Sequence, residues 1–293
     1  MNDNLKRFII NIASILPDSL YLKGMYRYMT GKKLNLKNPQ TFNEKIQWLK
    51  LHDRKPIYTI MVDKFEVKKY VADMIGDEYI IPTLGVWDRF EDIDFDLLPD
   101  RFVLKCTHDS GGNVICRDKS KLDIEMVRKK INRSLKTNFY WFGREWPYKN
   151  VKPRIIAEKY MADGTKIVPE DYKIYCLHGE PKYIVVFHNR YDSSKHLSES
   201  VYDINWVKKE ISLDQHIEIS DIVISKPECL DELLKISRVL AKDKVQVRLD
   251  FYIINNKIFF SEITFFTASG FASMIPNEVD QILGKQLNLR GGE

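Results

Sequence analysis

Apolar positions in the first quarter of the chain recur at helical spacing. Phe8, Ile9, Ile12, Ile15 and Leu16 fall three and four apart, and Pro17-Asp18 breaks the run. Thr41 with Glu44 three residues on forms a capping box, predicting a helix through Trp48 and Leu49. A further helix is expected over 63–75, where Val67, Tyr70, Val71 and Met74 make one stripe and Gly76 suits the end. Ile124, Val127, Ile131 and Leu135 predict another over 123–137, and Leu230, Leu233, Leu234 and Leu240 one over 228–242.

Elsewhere the period is that of strands. EYIIPTLGVW, FVLK and RIIAEKYM read as extended, and DYKIYCLHGEPKYIVVF as a hairpin around His178-Gly179-Glu180-Pro181. A long polar loop is expected over 189–213. VQVRLDFYII and KIFFSEITFF then form a second hairpin around Asn255-Asn256.

The register of that last hairpin carries chemistry. A loop of Asn255-Asn256 alone sets Asp250 opposite Ser261, with Glu262 on the other face. A three-residue loop ending at Lys257 pairs Asp250 with Glu262 and Arg248 with Thr264. Facing carboxylates repel unless a cation lies between them. A divalent metal is the first reading, and magnesium suits hard oxygen ligands supplied partly by phosphate and water. An ion pair of Arg248 with either acid is the alternative.

Composition sets the class. Of 293 residues, 44% are hydrophobic and 30% charged, a balance that suits a folded domain and not a disordered chain. No run reaches the roughly 18 apolar residues of a spanning helix. The start is not a clean signal peptide, since Asn11 interrupts a short apolar core, so a cytoplasmic location is expected. Cys106, Cys116, Cys176 and Cys229 form no CxxC pair and are expected as buried, reduced thiols. Net charge is +5, yet residues 1–70 hold fourteen Lys/Arg against six Asp/Glu. This basic region can face solvent or meet phosphate, an anionic polymer or the inner membrane surface. The first amphipathic segment is expected to pack on the body of the protein. Nucleic acid is not expected, because no aromatic residues interleave with the charge. No pattern assigns an oligomeric state.

Lys105 ends a strand, and Ser110-Gly111-Gly112 stands in the loop after it. Glycines let backbone N–H groups approach an anion, and a lysine adds a point charge. The order differs from a Walker A loop, in which the lysine follows the glycines. An ordinary hairpin turn is the alternative. A phosphate cradle here gains support from the Asp250/Glu262 pair, because a bound nucleotide needs a metal seat as well.

The ordered set Asp63-Lys64, FVLK…SGG, IIAEKYM, DYKIYCLHGE, VRLDFY and SEIT resembles the ATP-grasp superfamily. NPQTFNEKIQWLKLHDRKPIYTIMVDKFEVKKYV and IDFDLLPDRFVLKCTHDSGG narrow the resemblance to its TupA-like branch, linked to teichuronopeptide and bacterial surface-polysaccharide synthesis. The resemblance implies an α+β fold in which two α+β lobes hold ATP between them, with a helical N-terminal extension. The implied divisions are a helical region at 1–60, a linking helix and extended segment at 61–101, a small lobe at 102–157 and a large lobe at 158–293. It further implies that Lys64 and Lys105 touch the ATP phosphates and that Ser110, Gly111 and Gly112 belong to a mobile loop over them. Glu158, Lys159, Tyr160 and Met161 would line the adenine, and Asp171 or Glu170 would lie near the ribose. Lys173 and Arg190 would sit near the γ-phosphate or an acceptor carboxylate, and Arg248 would steady the transferring phosphoryl group. Asp250, Glu262 and Thr264 would hold Mg²⁺.

Such enzymes activate a carboxylate as an acyl phosphate and pass it to an amine. The implied partners here are a sugar or polysaccharide carboxylate and an amine donor. Three departures stand out. Thr264 occupies a metal position usually held by Asn, Thr267 stands where the branch often has Pro, and a helical region replaces the usual Rossmann-like first domain. Asp92, Asp94 and Asp96 give a DxD-like series that suggests a glycosyltransferase, against a reading as solvated acids. A kinase of the same ancestry and a non-catalytic scaffold are further rivals. His108-Asp109 is expected to order its loop and His178 to sit in a turn. His188 and His196 flank the polar loop as solvated residues or contacts to an anionic sugar. Trp141, Trp146 and Tyr148 offer either a sugar platform or core packing.

Overall fold

The computed structural model describes residues 15–162, 169–190, 196–214 and 216–289. Most of the first predicted stripe, Phe8, Ile9 and Ile12, lies outside them. Pro17 breaks that run by opening a new helix, α1 (Asp18–Thr30), which buries Tyr21, Leu22, Met25 and Tyr26. The capping box is present: Thr41 accepts from the Glu44 N–H, and the Glu44 carboxylate accepts from the Thr41 N–H at 3.2 Å. It starts α2 (Phe42–His52). After α3 (Ile57–Val62) comes α4 (Glu66–Ile75), shorter than expected. Asp63 stays outside it and caps it, accepting from the Phe65 and Glu66 N–H groups at 2.8 and 3.2 Å. Gly76 ends it at a φ of 116°, where a side chain is strained.

Two compact units follow, Lys55–Met161 and Met1–Arg54 with Ala162–Glu293. The first holds β1 (Thr83–Trp87), β2 (Phe102–Cys106), β3 (Val114–Cys116) and β4 (Ile155–Lys159), with α5 (Ile124–Leu135) and the short α6 (Tyr140–Gly143). The sheet order is β1-β4-β2-β3, antiparallel throughout. Phe102, Leu104 and Cys106 alternate onto the face that meets Val127 and Ile131 of α5 in one apolar cluster. The opposite face of β2 is left for Lys105. Tyr140 and Trp141 hold the buried Arg144 guanidinium 5.0 and 4.8 Å from their rings, so part of this aromatic cluster serves packing.

The second unit carries a sheet ordered β11-β10-β5-β6-β7-β8, with β9 parallel to β7. Its strands are β5 (Asp171–Leu177), β6 (Glu180–His188), β7 (Ser198–Asp203), β8 (Lys208–Lys209), β9 (Glu218–Ile219), β10 (Gln246–Ile254) and β11 (Lys257–Thr264). Between β9 and β10, α7 (Leu230–Ala241) lays its leucines on the face opposite the charged one, and α8 (Glu278–Gln286) closes the described chain. Two expectations need correction. The β5–β6 turn is His178-Gly179 alone, both at positive φ (53° and 80°), and Glu180-Pro181 already belongs to β6. The predicted loop over 189–213 contains β7 and β8. β7 eluded the pattern because its first three buried positions, Ser198, Glu199 and Ser200, are polar, leaving only Val201 and Tyr202 as apolar signal. Glu199 accepts from Ser212 Oγ and the Leu213 N–H at 2.8 Å each, and Ser200 Oγ donates to the Ile222 carbonyl at 2.9 Å.

The β10–β11 pairing is Asp250 with Glu262 and Arg248 with Thr264, the register that brings the acids together. The expected three-residue loop is not its cause. Asn255 and Asn256 form a two-residue turn, both at positive φ (50° and 62°), and Ile254 pairs with Lys257. The register then shifts between Asp250 and Phe251, which leaves Ser261 as the extra residue of a bulge.

A polar ridge on α2 fixes the chain just after β11. Asn43 Nδ2 donates to the Ala272 carbonyl at 2.7 Å, and Gln47 Nε2 to those of Ser269 and Gly270 at 2.9 and 2.7 Å. Lys50 Nζ, fully buried, donates to the Ser269 carbonyl at 2.7 Å and to Ser269 Oγ at 3.0 Å. These bonds hold Ala268, Ser269 and Gly270 in consecutive left-handed conformations.

Candidate active site

In the Lys55–Met161 unit, β2 and β4 set Lys105 and Glu158 on one face of the sheet. Glu158 Oε2 lies 2.5 Å from Lys105 Nζ, and its Oε1 lies 2.5 Å from Lys68 Nζ on α4. Lys68 also donates to the Ile81 carbonyl at 2.7 Å. All three side chains are nearly buried. Burial pushes the Glu158 carboxyl up, but the ammonium groups of Lys105 and Lys68 more than reverse this and hold it below the usual range. Two cations therefore share one anion on this face, an excess of positive charge suited to a phosphate.

Lys64 lies under the glycine loop. Its Nζ donates to the Asp109 carbonyl and stands 3.9 Å from Asp109 Oδ1, and its N–H donates to the Thr107 carbonyl at 3.1 Å. Arg154 Nη2 ties Asp63 and Glu66 together at 2.8 and 2.9 Å. His108 Nε2 lies 3.1 Å from the Ser134 and Thr137 carbonyls, the loop-ordering role expected of it. Asp109 accepts from Ser134 Oγ. Ser110 and Gly111 are exposed.

The two glycines answer different demands. Gly111 has a φ of 85°, and a Cβ at Gly112 would stand 2.1 Å from Asp109 Oδ2. Gly112→Ala is therefore expected to displace a carboxylate held by Ser134 and to destabilise the unit by about 1–3 kcal/mol. Urea unfolding checks this, and an unchanged midpoint refutes it.

In the other unit one sheet face gathers six charged groups. Asp171 and Lys173 come from β5, Arg248 and Asp250 from β10, Glu262 from β11, and Arg190 follows β6. Arg248 Nε and Nη2 donate to Asp250 Oδ1 and Oδ2 at 2.6 and 2.8 Å. The same Nη2 reaches Glu262 Oε1 at 3.1 Å and Thr264 Oγ1 at 3.2 Å. Lys173 Nζ lies 2.5 Å from Asp250 Oδ2 and 2.8 Å from Asp171 Oδ2, and Arg190 also donates to Asp171. The cation lying between the facing acids is thus the Arg248 guanidinium, the alternative weighed against a metal. Among the described residues three acids pair with three bases in this cluster, while Glu199 on the same face is held separately by Ser212 Oγ and the Leu213 N–H. Burial raises the Asp250 carboxyl, and Arg248 followed by Lys173 pulls it well below its ordinary value.

These residues still fit a magnesium ion. Among the described residues no group of three or more His, Cys, Asp or Glu side chains is arranged to hold a metal. Asp250 and Glu262 offer two hard carboxylates on neighbouring strands, which matches an ion that takes few protein ligands and completes its shell with phosphate and water. Glu262, its side chain 36% exposed, has the freedom to turn toward such an ion. Asp171 Oδ1 is buried without a hydrogen-bond partner, while its Oδ2 meets Lys173 and Arg190.

Asp250 and Glu158 share one pH consequence. Both folded pKa values lie below the unfolded one, so their stabilisation is complete at neutral pH. It is lost as pH falls from about 4 downward through the folded values. Urea midpoints are expected to hold between pH 7 and pH 5 and to fall steeply below about pH 4. Midpoints independent of pH across that acid range exclude these ion clusters.

Other expected residues take plainer places. Lys159 ends β4, its N–H donating to the Pro82 carbonyl at 3.0 Å, and Tyr160 and Met161 follow the strand and close the unit. Among the DxD-like acids, Asp92 pairs with exposed Arg89 and Asp94 accepts from the Asp96 N–H, as solvated acids do. Lys68, Arg154, Gln47 and Lys50 escaped the sequence reading. Lys68 stands four residues beyond Lys64, the spacing of one face in the helix expected over 63–75, although Lys64 itself precedes α4. Nothing along the chain marks the other three.

No curated protein matches the chain. Among solved structures, a D-alanine–D-alanine ligase from Bacillus anthracis complexed with ATP is 18% identical with a TM-score of 0.41, over 70% of this chain and 54% of that one. The corresponding ligase from Helicobacter pylori is 13% identical with a TM-score of 0.44, over 86% of this chain and 70% of that one. N5-carboxyaminoimidazole synthetase from Staphylococcus aureus is 13% identical with a TM-score of 0.40, over 70% of this chain and 44% of that one. The chain thus spans about half the length of the Bacillus anthracis ligase. The TupA-like ATP-grasp family matches residues 44–288, so the two α+β units are an ATP-grasp fold and the chain belongs to that family.

Proposed function

We propose that the protein is an ATP-dependent carboxylate–amine ligase that forms an amide on a uronic acid or related carboxylate during synthesis of a bacterial surface polysaccharide. An amino acid or small amine is the donor. The acceptor carboxylate oxygen bonds to the γ-phosphorus as the bond to the β-phosphate oxygen breaks, releasing ADP. The amine nitrogen then attacks the acyl carbon, phosphate leaves, and the nitrogen loses a proton.

The observation that carries this reading is the pair of charged clusters on a chain of this family, one with excess cations and one with facing acids. Lys64, Lys105 and the loop of Ser110, Gly111 and Gly112 take the phosphates. Glu158 aims the Lys105 ammonium, and Glu158 to Met161 line the adenine through their backbone, while Asp171 takes the ribose. Arg248 steadies the phosphoryl group, and Lys173 and Arg190 meet the γ-phosphate or the acceptor carboxylate. Asp250 and Glu262 hold Mg²⁺, with Thr264 beside them. That ion neutralises charge where two anions must meet.

Incubation with ATP, Mg²⁺, uronic-acid acceptors and candidate amines is expected to release ADP and phosphate in equal amounts, dependent on the amine. Formation of AMP refutes the scheme. A stable phosphorylated product formed without amine assigns a kinase instead.

A further inference from the structure

We infer that the outer face of α1 docks the protein on a membrane surface rich in anionic phospholipid. Positions 20, 23, 24, 27 and 28 lie on the side of the helix opposite its buried Tyr21, Leu22, Met25 and Tyr26. Leu20 and Tyr28 are 55% and 72% exposed, large apolar groups standing in water beside exposed Lys23 and Arg27. The chain beyond the helix adds exposed Lys32 and Lys33. Asp18 is the one acid between positions 15 and 40, and Arg54 already neutralises it at 2.7 Å.

Charge of a single sign fits an anionic surface, and leucine and tyrosine fit the boundary between headgroups and acyl chains. A soluble anionic polymer complements the charge alone and leaves Leu20 and Tyr28 in water. Among the described residues no helix is long and apolar enough to cross a membrane, so the contact is peripheral and in the plane of the interface. The inference stands on this face alone and is independent of the ligase reading.

Co-sedimentation of the full chain with lipid vesicles tests it. Binding is expected to vesicles of phosphatidylcholine mixed with phosphatidylglycerol, not to phosphatidylcholine alone, and is expected to be released by high salt. Lys23→Glu with Arg27→Glu should lower partitioning at least about tenfold. Leu20→Ser with Tyr28→Ser should lower it about tenfold at unchanged charge. Both double variants should stay within about 3 °C of the parent melting temperature, because the replaced side chains are exposed and the one bond lost among the described residues is that from Arg27 Nη1 to the Gly31 carbonyl. Equal binding to neutral vesicles overturns the proposal, as does binding that both variants retain. A larger loss of thermal stability in the variants shows that the face is covered within the chain. Dimerisation abolished by the same substitutions assigns the face to a second copy. Either of these outcomes refutes membrane docking.

Discussion

Asp250→Asn is expected to destabilise the protein by about 3–5 kcal/mol, the cost of removing one partner from a buried ion cluster. Asp250 is 1% exposed and accepts three charged hydrogen bonds, two from Arg248 and one from Lys173. Asparagine keeps the shape but removes the charge, and its amide nitrogen turns a donor toward a guanidinium or an ammonium. Asp171 still serves Lys173 and Glu262 still serves Arg248, which favours the lower end of that range. Guanidinium unfolding at neutral pH measures the loss, and a value under about 1 kcal/mol rules out the role given to Asp250. Glu262→Gln provides the contrast. That side chain is 36% exposed and makes one ion pair, so its loss should cost less than about 1 kcal/mol. Under the proposed function it should nonetheless abolish the Mg²⁺ dependence of ATP binding, read by titration calorimetry with and without the ion. Intact Mg²⁺ dependence in the Glu262→Gln protein removes the metal seat from the β10–β11 hairpin.

Lys105→Ala should lower amine-dependent ADP release by at least about 10²-fold, the scale of losing one preorganised charge at a phosphoryl centre. Its ammonium is pinned by Glu158 at 2.5 Å on a rigid strand, so little reorganisation is required when a phosphate arrives. Lys68→Ala separates position from contact. Lys68 serves Glu158 and the Ile81 carbonyl, so its removal should lower stability and leave a larger share of turnover than Lys105→Ala. Equal turnover losses in the two variants assign both lysines to the phosphates. Full turnover in Lys105→Ala refutes the phosphate role.

Much of this architecture was legible because it rests on short-range rules. The Thr41–Glu44 capping box, the ends of α5 and α7 and the alternation along β2 each need only a few neighbouring residues. The pairing of Asp250 with Glu262 was also within reach, although a bulge at Ser261 produces it and not a longer loop. Where side chains are buried by hydrogen bonds instead of by apolarity, the pattern misleads. Ser198, Glu199 and Ser200 read as loop and lie inside β7, and Asn43, Gln47 and Lys50 carry no apolar signal yet clamp the chain beyond β11.

By itself the sequence determined helices α2, α4, α5 and α7, most strands, the family and the residue types able to meet phosphate and metal. Only the tertiary structure decided the partners: Glu158 between two lysines, Arg248 between two acids, and a turn held by α2. A buried charge is stable only beside its counter-charge, and that neighbour comes from chain far away, where no local periodicity records it.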